Sequence, residues 1–111
     1  MKKIFSRLNI ICAFLIYLCF VFRVTVVQGY SMQPTLENGS VLICNTLATP
    51  QVGDIVVIRP FVAVGDQFII KRITDIQDNK IFVQGDNREN SYDSRSFGWL
   101  DMNQVLGVVI D

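Results

Sequence analysis

The eight residues "QFIIKRIT", Gln67–Thr74, have the pattern of a β-strand and contain a lysine between isoleucines. Side chains of a strand alternate between its two faces, so Ile69, Lys71 and Ile73 share one face. The opposite face carries Ile70, Arg72 and Thr74. If the first face is buried, desolvation should lower the pKa of Lys71. The alternative is an exposed face, on which the lysine stem covers the isoleucines and its charge stays in water.

Similar short apolar runs occur along the chain on both sides of this strand and are separated by turn signals. They are Val24–Val27, Val41–Cys44, Ile55–Ile58, Ile81–Gln84 and Val105–Ile110. The turn signals are Asn38-Gly39, Gly53-Asp54, Gly65-Asp66 and Asp78-Asn79. About six strands with Asn-Gly and Gly-Asp turns predict a mostly β domain with an open or barrel-like antiparallel sheet.

One long segment, Gly85–Trp99, has no strand pattern. An irregular segment of this length in a small domain is usually functional or disordered. Its charged residues could simply be solvated, but Phe97 and Trp99 favour a segment that folds back and packs on the sheet.

The N-terminus is basic and is followed by an uncharged apolar run, Leu8–Phe22. A cleaved secretory signal peptide would need small residues after this run, but bulky and β-branched residues follow instead. A buried core helix would need a larger partner domain than the rest of the chain supplies. We therefore expect an uncleaved signal-anchor, a single transmembrane helix within residues 1–23, followed by an antiparallel β domain over residues 24–111.

Basic residues set the expected orientation of this anchor. Lys2, Lys3 and Arg7 precede the apolar run, and Arg23 is the one basic residue directly after it. The excess on the N-terminal side predicts a cytoplasmic N-terminus and an extracytoplasmic β domain, with the lipid bilayer as a partner.

The composition restricts the chemistry that the β domain can perform. Ten basic and ten acidic side chains cancel, so there is no overall field that would attract nucleic acid. The chain has no histidine, which excludes a Ser-His-Asp triad. A serine nucleophile such as Ser31, in "VVQGYSMQPTLENGS" (Val26–Ser40), would therefore need a lysine or a carboxylate as its base.

Three motifs occur in a fixed order behind the predicted anchor: "GYSMQPTL" from Gly29, Lys71-Arg72, and "GDNRENSYDSR" from Gly85. This combination resembles the type I signal peptidases, membrane-bound serine proteases with a Ser/Lys dyad. The resemblance covers nearly the whole chain. The first motif is shared with the related LexA-type self-cleaving repressors, whereas the third is specific to the peptidases. The resemblance implies the catalytic core fold that these two groups have in common.

The resemblance also implies roles for individual residues. Ser31 would be the nucleophile, with its backbone N–H as an oxyanion donor, and Lys71 would be the general base. Ser91 would orient the lysine amine, and Gly85 would let the loop backbone pass close to the lysine. Two supporting ion pairs are implied, Arg72 with Asp86 and Asp93 with Arg95. Substrate-binding positions would be Gly29, Tyr30, Met32 and Pro34, and no metal or cofactor is expected.

The chain differs from the family pattern in two places. Many members have a Ser or Thr two residues before the nucleophile as a second oxyanion donor, where this chain has Gly29. Many bacterial members insert a large accessory β-domain after the lysine, whereas thirteen residues separate Lys71 from Gly85 here. The chain therefore resembles a minimal form of the enzyme.

The expected function is a membrane-anchored signal peptidase I, a serine endopeptidase that removes signal peptides from exported precursor proteins by cleavage after small residues (Ala-x-Ala type). One alternative is a dedicated processing peptidase for a pilin, conjugation or organellar precursor. Another is a non-catalytic homologue that binds signal sequences, which the intact Ser31, Lys71 and Ser91 set disfavours.

Overall fold

A computed structural model describes residues 2–59 and 68–110 of the protein. An N-terminal helix, α1, precedes seven strands and a short second helix, α2. Their bounds are α1 Lys2–Val21, β1 Phe22–Val26, β2 Val41–Asn45, β3 Ile55–Ile58, β4 Ile69–Gln77, β5 Lys80–Gln84, α2 Ser94–Phe97, β6 Leu100–Asp101 and β7 Val105–Val109.

The seven strands form one sheet in the order β1-β2-β7-β3-β4-β5-β6, and each neighbouring pair is antiparallel. β7 lies between β2 and β3 and so joins the β1–β2 pair to the strands β3 to β6. In this order β1 and β6 are the edge strands of the described sheet. The predicted open, mostly antiparallel β fold is confirmed.

The strand around Lys71 differs from the prediction at both ends. It begins at Ile69, whereas Gln67 and the predicted Gly65-Asp66 turn lie outside the described residues. It continues to Gln77 because its last residues pair with β5, up to Gln77 opposite Lys80. Asp78 then turns the chain with a positive φ of 52°. β4 and β5 therefore form a long hairpin.

Alternation along the strands divides the core into two clusters. The first contains Met32, Cys44, Ile55, Val57 and Val109, and the second contains Val56, Ile58, Ile73, Ile81 and Val83. Neighbouring residues of β3 belong to different clusters, so both of its faces are covered. Burial raises the pKa of the Cys44 thiol, which favours its neutral form in the first cluster.

The segment Gly85–Trp99 is more regular than predicted. It contains a 3₁₀ turn at Arg88–Asn90 and the helix α2, whose N-cap is Asp93. The expectation that its aromatic residues pack is confirmed: Trp99 contacts Phe82 edge to face, and Phe97 contacts Tyr92 in the same way. The short helix could not be predicted because four residues are too few to show a helical period.

The N-terminal helix runs directly into β1, since Val21 ends the helix and Phe22 begins the strand. Thr46, at the end of β2, fixes this junction with hydrogen bonds from its hydroxyl and its N–H to the last helical carbonyls. Across residues 2–59 and 68–110, no helix has both the length and the apolar character needed to cross a membrane. The predicted membrane span is therefore not confirmed.

Candidate active site

Ser31 lies in a turn within the connection between β1 and β2, residues 27–40. We call this the Ser31 turn. The Gln33 N–H donates to Tyr30 O at 3.2 Å, and the Leu36 N–H donates to Met32 O at 2.9 Å. The Met32 side chain, 1% exposed, anchors the turn in the first core cluster. A buried residue next to an exposed turn fixes the backbone on which Ser31 sits.

Lys71 is 5% exposed on β4. Burial disfavours the ammonium form and lowers the pKa of Lys71 below its ordinary value; Asp93 opposes this shift and Arg95 adds to it. The amine donates a hydrogen bond of 3.1 Å to Ser91 Oγ. The predicted contact with Ser91 is present, and of the two alternatives for this strand, the buried lysine is the one observed.

Ser91 belongs to a hydrogen-bonded chain that ends in an ion pair. Its hydroxyl donates to Asp93 Oδ2 at 2.7 Å, and Arg95 donates to both Asp93 oxygens at 2.9 Å. Burial would raise the pKa of Asp93, but hydrogen bonds from Arg95, the Gly85 N–H and Ser91 together hold it well below its ordinary value. The buried carboxylate stays charged and fixes the direction of the Ser91 hydroxyl.

The second predicted ion pair, between Arg72 and Asp86, is also present. Arg72 donates to both carboxylate oxygens, from Nε at 2.8 Å and from Nη2 at 2.7 Å. These bonds lower the pKa of Asp86. The Thr35 hydroxyl donates to the same carboxylate at 2.6 Å. Asp86 thus connects the Ser31 turn to β4, a link that no local sequence pattern indicates.

Gly85 lies where the loop after β5 passes the Ser31 turn. A Cβ at this position would be 2.5 Å from Ser31 O and 2.3 Å from Ser91 Oγ. The nearest atoms belong to Ser31 and Ser91. A side chain here would displace both. The predicted close approach of this backbone to Lys71 stays a prediction.

Ser31 and Lys71 line one cavity of about 360 Å³. None of the described residues accepts or donates a hydrogen bond at the Ser31 hydroxyl, so Lys71 and Ser31 share the cavity without a direct bond. The other lining residues lie at the end of β1 and just after it, in the Ser31 turn, and at the start of β4: Thr25, Val26, Val27, Gln28, Met32, Phe68, Ile69 and Ile70. Most of these residues are apolar, but polar atoms make up the larger part of the cavity surface.

Only one of the four predicted substrate-binding residues lines this cavity. Met32 lines it, whereas Gly29, Tyr30 and Pro34 are exposed and are not among its lining residues. Gly29 has a positive φ of 90°, and its N–H donates to Asn38 Oδ1, so it serves the turn. β1 contributes one wall of the cavity through Thr25 and Val26. Among the described residues, no cluster of three or more Cys, Asp or Glu side chains could hold a metal ion.

In this mostly antiparallel β domain, a serine and a buried lysine line one cavity, and the chain has no histidine. These are features of the serine peptidases that do not use a histidine base. The chain belongs to the family described as "Signal peptidase, peptidase S26", whose family model matches residues 1–75 and 70–110. The resemblance inferred from the three motifs is confirmed. The peptidases of this family are serine proteases.

Two relatives illustrate the range of the family. The chain is similar to mitochondrial inner membrane protease subunit 1 of Xenopus tropicalis, with 32% identity over 99 residues of alignment, covering 68% of this chain and 59% of that protein. It is also similar to signal peptidase I of Bacillus caldolyticus, with 31% identity over 144 residues of alignment, covering 81% of this chain and 78% of the relative. The chain therefore spans little more than half of the first relative.

Proposed function

We propose that this protein is a serine endopeptidase that removes signal peptides from exported precursors, with Ser31 as nucleophile and Lys71 as general base. The observation that carries the proposal is the buried amine of Lys71. Its pKa is lowered, it is held by Ser91, and it lines the same cavity as the serine. A lysine must be neutral to accept a proton, and burial favours that state.

The reaction needs only the groups already described. The neutral Lys71 amine takes the proton of the Ser31 hydroxyl while the oxygen attacks the scissile carbonyl. The resulting ammonium then protonates the leaving amine, and water hydrolyses the acyl-enzyme by the same steps. The Ser31 N–H, which has no acceptor among the described residues, would donate to the oxyanion.

The proposed substrate class rests on the relatives. Cleavage after small residues, the Ala-x-Ala pattern, is part of this proposal, and the cavity shared by Ser31 and Lys71 is where the precursor would bind. One relative bears the name signal peptidase I, which supports precursors with signal peptides as substrates. The name of the other, a mitochondrial inner membrane protease subunit, favours a dedicated organellar processing role as the second candidate.

We also propose that the protein works at a cell membrane, with its N-terminus in the cytoplasm and the β domain outside. The support is the apolar surface that the fold leaves uncovered. The outer apolar face of the β1–β2 pair consists of Phe22, Val24, Val26, Val41 and Ile43, all exposed. It continues from the exposed apolar side chains of α1 and reaches the cavity at Val26.

The test of the catalytic proposal is cleavage of a precursor with an Ala-x-Ala site by purified variants. Ser31→Ala and Lys71→Ala should each reduce kcat by about 10⁴-fold or more, and the double variant should be no worse, because the two groups act as a unit. Ser91→Ala should cost less, about 10- to 100-fold, because it removes an orienting hydroxyl and not a reacting atom.

Matched controls are available in the same chain. Ser96 is exposed on α2, and Lys80 is exposed on β5 and paired with Asp101, so Ser96→Ala and Lys80→Ala should keep full activity. Wild-type activity that survives in Ser31→Ala would refute the nucleophile. A biological role that survives in Ser31→Ala without any cleavage would favour the non-catalytic, signal-sequence-binding alternative.

A further inference from the structure

Asn87, in the loop after β5, holds both carbonyl groups that flank the Cα of Ser31. Its side-chain Nδ2 donates to Tyr30 O at 3.0 Å, and its backbone N–H donates to Ser31 O at 2.8 Å. The contact with Tyr30 spans 57 positions in sequence. Of these two bonds, only the first depends on the asparagine side chain.

The Tyr30 carbonyl belongs to the same peptide unit as the Ser31 N–H. Of the peptide bonds in the described ranges, the cis one is Gln33–Pro34, so the Tyr30–Ser31 bond is trans. In a planar trans peptide the C=O and N–H point in opposite directions. A donor that fixes Tyr30 O therefore fixes the direction of the Ser31 N–H, away from Asn87.

Two donors act on this carbonyl, because the Gln33 N–H also reaches Tyr30 O at 3.2 Å. The Gln33 bond is local to the turn and moves with it. The Asn87 bond comes from a separate segment and ties the peptide plane to the rest of the site. A hydrogen bond accepted at the C=O also polarises the peptide and strengthens its N–H as a donor.

We propose that Asn87 is a positioning residue for the oxyanion site, whose side-chain amide orients the Tyr30–Ser31 peptide so that the Ser31 N–H meets the developing negative charge. This inference rests on the proposed function. It assigns to Asn87 a role in transition-state stabilisation, distinct from the proton transfer of Lys71 and Ser91, with neither of which it forms a hydrogen bond.

Asn87→Asp tests the role with little change in shape, since a carboxylate cannot donate to Tyr30 O. We expect kcat to fall about 10- to 100-fold on the precursor, less than the loss of an oxyanion donor itself. KM should stay within about twofold. In Asn87→Ala, which adds no charge, the midpoint of the pH–rate profile should not move, because the charges around Lys71 are unchanged. Asn90→Asp, an exposed change of the same type in the same loop, is the matched control and should leave kcat unchanged.

A second measurement separates orientation from simple loop stability. In a peptide aldehyde, the Ser31 oxygen adds to the carbonyl carbon, and the former carbonyl oxygen takes the oxyanion position. Asn87→Asp should weaken binding of this aldehyde about as much as it lowers kcat. Binding of the cleaved product peptide, which forms no tetrahedral adduct, should be unaffected. Asn87→Ala should give the same pattern in a milder form.

The outcomes are separable. If the wild type does not cleave the precursor, the proposed function fails, and this inference with it. If the wild type cleaves and Ser31→Ala does not, but both Asn87 variants match the wild type in kcat and aldehyde binding, only the inference is refuted. It is equally refuted if both variants unfold, or if they weaken aldehyde and product alike, because Asn87 would then be structural.

Discussion

Lys71, the proposed general base, is buried in a way that favours its neutral state. The apolar neighbours on its face of β4 exclude water, and the hydroxyl of Ser91 accepts a hydrogen bond from the amine. A neutral amine is tolerated there, whereas an ammonium carries a desolvation penalty. The same penalty that makes the lysine a usable base should therefore cost the fold some stability.

Stability and activity should depend on pH in different windows. Because the folded protein holds the Lys71 proton less tightly than the unfolded chain, stability should increase with pH between the lowered pKa and the ordinary value of 10.5. Below the lowered pKa the penalty is complete and constant. By contrast, kcat/KM should rise as pH passes through the lowered pKa itself, since only the neutral amine is a base.

Lys71→Met tests this account, because methionine is similar in length and carries no charge. The variant should be inactive, yet more stable than the wild type at pH 7 by on the order of 1 kcal/mol, or roughly 4–8 °C in melting temperature. The gain should shrink as pH approaches 10.5. Thermal unfolding at pH 7 and pH 10 measures it. An inactive variant that melts clearly below the wild type at pH 7 would contradict a buried neutral lysine.

At the scale of elements, the junction between β5 and α2 depends on a single buried carboxylate. Asp93 caps α2 by accepting from the Arg95 N–H, and it also accepts from the Gly85 N–H and from Ser91. The cap therefore holds the strand end, the loop and the helix together. Loss of its charge should affect the site and the stability of the fold at the same time.

Asp93→Asn should destabilise the protein at pH 7 by about 3 kcal/mol, because it weakens several charge-assisted hydrogen bonds and breaks an ion pair. The folded-state pKa of Asp93 is lowered, so its contribution is complete above the ordinary value of 3.8 and is lost as pH falls towards the folded value. The two unfolding curves should therefore converge in acid. Urea unfolding at pH 7, 5 and 3 tests this.

Asp78→Asn is the control for the acid series, since Asp78 is exposed in the turn between β4 and β5. Its unfolding free energy should follow that of the wild type at all three pH values. A constant difference between Asp93→Asn and the wild type down to pH 3 would show that the carboxylate charge is not what the cap contributes.

Local patterns in the sequence predict the strands but not most of their tertiary contacts. The alternation around Lys71 gave the strand and the face on which the lysine lies, and the turn signals separated the neighbouring strands. The contacts of Thr35 with Asp86 and of Asn87 with Tyr30 join residues more than 50 positions apart, and no local period records them.

At the scale of the whole molecule, the outer apolar face lies beside the cavity and continues from α1. If this face rests on lipid, a precursor held in the membrane would present its cleavage site at the height of Ser31. Cleavage of membrane-inserted precursors should then be faster than cleavage of soluble peptides with the same site.

Val41→Asp tests the role of the face, because Val41 is exposed and does not line the cavity. Loss of the valine side chain should lower the rate on a precursor in lipid vesicles roughly tenfold. This factor corresponds to the free energy lost when one valine side chain no longer contacts lipid. The rate on a soluble peptide should be unchanged. Val52→Asp, a similarly exposed valine in the turn before β3, is the control. Equal losses for both variants, or equal effects on both substrates, would rule out the face as a lipid contact.

The close passage of Gly85 beside Ser31 has a consequence for the chain during its synthesis and folding. The loop that carries Gly85 is made more than fifty residues after the serine, and Lys71 loses water only when the surrounding strands are in place. A newly synthesised or partly digested chain therefore holds an ordinary charged lysine and an unreactive serine. The proposed protease should therefore be latent until β7 has paired between β2 and β3, so that an incomplete chain digests neither itself nor its neighbours.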